Sequence, residues 1–191
     1  LSNMVKVATH LRNREFGRAR DQIDNDQGIN PLLDKIITGW AVAEEGNIED
    51  AKLIFDKIGN GTSLAQFSQT QKASMLAAFG QYESALNTIE ILEEDFNRLS
   101  IDARVMKVQL LLKLDRQEKA AEYFSKNFVD AISSDADKLK LQIENHPNAL
   151  SLGTNLSLES GIAYAFYAIG DILKDEADPN TALLYLSLIH I

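Results

Sequence analysis

Residues 39–55 read GWAVAEEGNIEDAKLIF, and this stretch decides the fold. An apolar helical run ends at Glu45-Gly46-Asn47, and a second helix opens on Ile48 with Ala51 and Phe55 one turn apart. The same local pattern returns around Ala19, Ala85 and Ala120, in the segments EFGRA, QYESA and RQEKA, at successive steps of 32, 34 and 35 residues. A fifth copy, DPNTA, places Ala182. A near-constant period of this length, with one helix–turn–helix per period, marks a helical repeat array. In such an array each unit touches its neighbours, and the core runs along the stack.

Four helix pairs are expected within 1–130, at about 3–24, 31–58, 64–96 and 99–130. Their turns fall at 13–15, 45–47, 79–81 and 114–116. Gly and Asp suit such helix ends. Pro31 suits a first helical turn, and Gly59-Asn60-Gly61-Thr62-Ser63 reads as a loop between units with a capping hydroxyl at its end. Small residues let the two helices of a pair approach. The position twelve before each alanine is Val7, Gly39, Ala73, Val108 and Gly170, and the position four after is Ile23, Phe55, Ile89, Phe124 and Leu186, an apolar stripe. Phe16, Ile48 and Tyr82 cover the turns, with Gln117 and Pro179 as departures.

The rhythm breaks between Ala120 and Ala182, a step of 62 residues. The segment 131–156 is expected to hold one extra helix, capped at Ser134-Asp135-Ala136-Asp137 and ending near Glu144, followed by a long connector. Such a connector inside an array marks either a functional loop or a divergent repeat. A fifth pair is expected over 157–191, cut short at LLYLSLIHI; a natural array ends in a polar capping helix, so the chain is expected to be an internal piece of a longer protein.

Composition excludes several function classes. The net charge of −9 and pI near 4.8 disfavour nucleic acid, which calls for a basic patch; Arg12, Arg14, Arg18 and Arg20 are interleaved with Glu15 and Asp21 as a solvated helix face. Without cysteine the chain has no disulfide, thiol nucleophile or Cys-ligated zinc. No apolar run reaches the roughly 18 to 20 residues of a membrane span, and the N-terminus lacks a signal-peptide layout. His10, His146 and His190 have no ligand spacing. The acidic run Glu90, Glu93, Glu94, Asp95 reads as a solvated face. The calcium-loop pattern that starts at Asp24 fails at Lys35, which occupies the bidentate position. Asn60-Gly61-Thr62 and Asn155-Leu156-Ser157 are sequon triplets of the kind that arise by chance. No phosphate loop, nucleophile elbow or H-E-x-x-H is present, and no catalytic, metal or cofactor residue is assigned.

The chain resembles the tetratricopeptide-repeat family through Gly39, Val42, Gly46, Ala51 and Phe55 in the second unit and through Phe166, Ile169, Gly170, Leu173, Ala182 and Leu186 in the fifth. The first and fourth units are degenerate, with His10 and Asp115 at family positions held by other residues. The resemblance implies an all-α fold, a right-handed α-α superhelix of about five helix pairs plus one extra helix and long connector, running as one continuous solenoid. It also implies a concave groove lined by the first helix of each pair. Counted back from the alanines, the groove positions are Ile36 and Trp40, Thr70 and Ser74, Val105 and Gln109, then Tyr167 and Asp171. They lack the Lys–Asn pair with which some members clamp a peptide carboxylate, so an apolar-to-neutral groove is expected, with Trp40 and Tyr167 as anchors; for Trp40 the alternative is burial between units, and of Tyr164 and Tyr167 at least one is expected in the core.

The expected function is a non-catalytic scaffold that binds a protein or peptide, with an amphipathic helix or extended apolar segment as the favoured occupant. That occupant is another protein, a second copy or the missing part of its own chain. The alternatives are a repeat domain of a larger enzyme or of a transport or envelope assembly and, against the charge, an RNA-binding repeat. Self-association through the apolar C-terminal helix is expected as well. The stretch 143–191 further resembles the central part of long tetratricopeptide proteins of alphaproteobacteria, which implies a bacterial source and a periplasmic or envelope setting, with the cytoplasm as alternative.

Overall fold

The computed structural model describes residues 2–58, 64–96, 98–128, 134–144 and 158–176. Among them the chain is all-helical: α1 (Ser2–Arg12), α2 (Phe16–Asp24), α3 (Pro31–Glu44), α4 (Ile48–Asp56), α5 (Ala65–Ala78), α6 (Tyr82–Asp95), α7 (Ile101–Lys113), α8 (Gln117–Asn127), α9 (Ser134–Glu144) and α10 (Leu158–Glu176). The breaks between α1 and α2, α3 and α4, α5 and α6, and α7 and α8 fall at 13–15, 45–47, 79–81 and 114–116, as the repeat pattern predicts. The connector 145–157, the loop 59–63 and the stretch around Ala182 lie outside the described residues.

All four turns close in one way, and the alanine ladder marks where. Five residues before each ladder alanine stands a left-handed residue: Arg14 (φ 60°), Gly46 (φ 91°), Gly80 (φ 77°) and Asp115 (φ 56°). The next residue donates its N–H back across the turn, from Glu15 to His10 O, Asn47 to Val42 O, Gln81 to Leu76 O and Arg116 to Leu111 O, at 2.8–3.1 Å. The left-handed residue itself donates to Leu11, Ala43, Ala77 and Leu112 O, at 2.9–3.1 Å. These paired bonds are the Schellman closure, which satisfies carbonyls that a helix end leaves orphaned. Glycine meets the positive φ without steric cost at two turns; Arg14 and Asp115 adopt it despite their Cβ.

Packing follows from the small residues. Ala19, Ala51, Ala85 and Ala120 are all fully buried, as are Val7, Ala73 and Val108 opposite them. At Gly39 the space of a side chain is taken by the ring of Phe55, whose Cζ lies 2.8 Å from where a Cβ would stand. The hairpins α1/α2, α3/α4, α5/α6 and α7/α8 pack on one another in chain order, and the first helices α3, α5 and α7 also touch in a row. α9 packs on α8 and α7, the place the next first helix would take, and Gln117 at the start of α8 donates to Ile143 O at 2.6 Å.

Helix starts are set locally. Asn30 caps α3 in extended geometry, its side chain accepting from Leu32 N and Leu33 N at 3.1 and 2.9 Å, with Pro31 following. Asp34 accepts from Ile29 N at 2.7 Å, and burial holds its carboxyl above the usual range despite that bond. Asn30→Ala removes both cap bonds and is expected to cost about 1 kcal/mol, read as a lower urea midpoint with an unchanged slope.

α10 leaves chain order. Among the described helices it packs on α3 and α5, far back in the sequence, and not on α8 or α9. The first helix of the expected fifth pair therefore does not continue the stack beyond α9. The face it packs on the α3–α5 pair is a stripe at helical spacing: Gly161, Ile162, Ala165, Phe166, Ile169 and Gly170 are all buried.

Candidate functional site

The residues that face α10 come from the row of first helices. Trp40, in the last turns of α3, is fully buried. Its ring meets Phe55 edge-on, with centroids 6.4 Å apart at 83°, and its Nε1 donates to Gln71 Oε1 on α5 at 3.1 Å. The same edge of the indole carries Gly161 of α10. A Cβ built there would lie 2.1 Å from Trp40 Cζ2 and 2.9 Å from Cε2, so only glycine fits the backbone so close to the ring. Farther along, Tyr164 of α10 lies against Phe67 of α5, with centroids 6.2 Å apart, and donates its hydroxyl to Asp102 Oδ2 at the start of α7 at 2.7 Å. α10 thus packs across α3 and α5, and Tyr164 reaches from it to the start of α7. Burying Ile162, Phe166 and Ile169 contributes about 1.5–3 kcal/mol each.

Of the eight groove residues expected from the sequence, Ile36, Trp40, Thr70 and Ser74 are brought together on the two helices that α10 packs against, and all four are buried. Trp40 is a buried seat rather than an open anchor. Val105 and Gln109 on α7 are half-buried. Tyr167 lies on α10 itself: it is 47% exposed, its ring 6.4 Å from that of Tyr164. Asp171 lies on α10 as well, and its side chain is outside the described part. Tyr164 is the half-buried member of the tyrosine pair, its hydroxyl at the edge, while Phe166 is fully buried.

Gly161, Phe67, Gln71 and Asp102 complete the contact and were not singled out by the repeat pattern. Their only trace in the sequence is the small-residue spacing of Gly161 and Ala165, one helical turn apart. The polar groups on α5 differ in how they are satisfied. Thr70 Oγ1 donates to Gln66 O in its own helix at 2.8 Å. Gln71 uses its carbonyl oxygen on Trp40, whereas its Nε2 and the Ser74 Oγ are buried without a hydrogen-bond partner.

Two other places carry polar side chains. Lys107, Glu93 and Tyr123 form a partly buried knot between α7, α6 and α8: the ammonium pairs with Glu93 and sits 4.7 Å over the Tyr123 ring, and the phenol donates to the same carboxylate at 2.9 Å. Burial, then the Glu93 acceptor, pushes the Tyr123 phenol far above its ordinary range, so it stays a neutral donor. A cleft of about 750 Å³ between α4, α5 and α6 holds Lys52, Asp56 and Lys72. Asp56 there is engaged by Lys72 at 2.7 Å and Gln69 at 3.1 Å, and Lys52 by Glu49 at 2.8 Å. At the far end of the chain, the His10 ring bonds Glu15 at 2.7 Å; that bond, with Arg18 adding to it, holds the Glu15 carboxyl below its ordinary range. Among the described residues no three His, Cys, Asp or Glu side chains cluster as metal ligands, and no helix is long and apolar enough to cross a membrane. No family model, curated protein or solved structure matches the chain.

Proposed function

We propose that the chain is a non-catalytic helical-repeat scaffold of the tetratricopeptide type, a right-handed α-α solenoid whose concave face holds a protein segment in helical form. One observation carries this reading: the face of the first helices is already filled by a helix, α10, which crosses chain order to reach it. The wall that receives it is built for a helix. Trp40 leaves no room for a Cβ at Gly161, and Ile36, Trp40, Thr70, Gln71 and Ser74 include no ionisable group. A helix in an apolar groove, held by anchors one turn apart, is a recurring mode of protein recognition. The repeating alanines and the four identical turns support the repeat reading.

The test uses a synthetic peptide of residues 158–176 and the full chain carrying Gly161→Leu, which empties the groove. Saturable binding of the peptide is expected, with at least tenfold weaker binding when the peptide itself carries Gly161→Leu. Equal affinity of the two peptides, or none for either, would sink the proposal.

A further inference from the structure

We infer that α10 is a strap: it joins the second, third and fourth helix pairs into one cooperative block and leaves the first pair outside it. In a stacked helical array each unit touches only its neighbours, so opening at one unit is felt at the next through a single interface. α10 departs from that rule. It packs on α3 of the second pair and on α5 of the third. Its Tyr164 donates to Asp102 in the first turn of α7, in the fourth. Trp40 doubles the tie between the second and third pairs. It carries Gly161 of α10 on its indole and donates Nε1 to Gln71 of α5, so a movement of α3 disturbs its contacts with α5 and α10 at once.

The first pair has no share in this. Among the described residues α1 packs on α2 and α2 on α3, and neither packs on α10. Stacking alone sets no boundary there, because α2 packs on α3 just as α4 packs on α5 and α6 on α7. Arg20 on α2 does reach Glu45 at the end of α3, at 2.5 Å, but both side chains are about one-third exposed, and ion pairs of that kind contribute little. The boundary comes from α10. Its buried Ile162, Ala165 and Phe166 must lose their packing in any opening that moves α3 or α5 away from it. The strap therefore adds its docking free energy to those openings, and adds nothing to an opening confined to α1 and α2.

Native-state hydrogen exchange of the full chain in rising urea tests the strap. The slowest amides of α3, α5, α7 and α10 are expected to merge on one opening with a common urea slope, whereas those of α1 and α2 exchange through a separate opening of smaller slope. Two variants weaken the strap at different contacts. Gly161→Ala overfills the Trp40 seat. Tyr164→Phe removes the bond to Asp102 and keeps a ring beside Phe67. Each is expected to speed exchange about fivefold or more in α3, α5, α7 and α10 together, and less than about twofold in α1 and α2. The deciding readout is the helix far from the substitution: α7 for Gly161→Ala and α3 for Tyr164→Phe. Acceleration confined to α10 and the helix beside the substituted residue would overturn the inference, and so would equal acceleration in α1 and α2. Tyr164→Phe preserves the shape of the side chain, so it decides the matter if the alanine variant does not fold. The peptide titration described above decides separately whether the face of the first helices accepts a helix in solution.

Discussion

Replacing Gly161 with alanine is expected to weaken the docking of α10, and replacing it with leucine to abolish it. The sign is the informative part. In a helix interior that faces solvent, Gly→Ala is stabilising by about 1 kcal/mol, because alanine is the better helix former. Here a Cβ would stand 2.1, 2.6 and 2.9 Å from three carbons of the Trp40 indole, and the ring is fixed by its edge-on contact with Phe55 and by the bond from its Nε1 to Gln71. Overpacking a filled site costs about 1–3 kcal/mol for small additions and more for a leucine. The steric term therefore outweighs the propensity gain, and the order of docking strength is Gly, Ala, Leu. Trp40 is the only tryptophan, so it reports on its own seat. Its emission is expected to move to longer wavelength and to become quenchable by acrylamide in the leucine variant, while far-UV circular dichroism shows the other helices intact. A leucine variant with unchanged emission, or an alanine variant more stable than the native chain, would show that α10 does not rest on Trp40.

Phe55→Ala carries the largest expected effect on stability, a loss of about 3–5 kcal/mol. Phe55 is fully buried, fills the hollow of Gly39, and supports the indole edge-on; the aromatic contact adds about 0.5–1.5 kcal/mol beyond the area buried. Its backbone carbonyl also accepts from the buried Ser68 Oγ at 2.5 Å, which ties α4 to α5. Removing the ring thus loosens the α3/α4 hairpin and the seat of α10 together. Leu53→Ala, two residues away on the same helix but at a 55% exposed position, should change stability by no more than about 0.5 kcal/mol. Urea denaturation separates the two, and comparable losses for both would refute the packing described for the Gly39–Phe55 pair.

The contrast between α4 and α10 shows what the sequence made legible. The position of Ala51, the turn at Gly46 and the ring of Phe55 belong to a pattern that recurs along the chain, and each copy is closed by bonds between residues three and five apart. Local patterns of this kind are readable because the residues that make the contact lie close together in the chain. The same reasoning located α9, which runs from Ser134 to Glu144. It failed for α10 because an amphipathic stripe tells which face of a helix is buried, not which surface buries it. Phe166 and Gly170 read equally well as the first helix of another unit. That reading placed Tyr167 on the wall of a groove; it lies exposed on α10, the helix packed against α3 and α5. The deciding contact, Gly161 on Trp40, joins residues more than a hundred positions apart, and a lone glycine inside a helix carries no mark of its distant partner. Trp40 itself admitted two readings, groove anchor and core residue; it is fully buried, on a helix that α10 packs against.

The central claim is that α10 lies in the groove of the first helices with its glycine on the single indole, and proton NMR reads this contact directly. The account predicts a nuclear Overhauser effect between Trp40 Hζ2 and the Gly161 α-protons, with those α-protons displaced from their usual position by the ring current of the indole. Absence of that cross-peak, together with rapid solvent exchange of the Trp40 Nε1 proton, would contradict it.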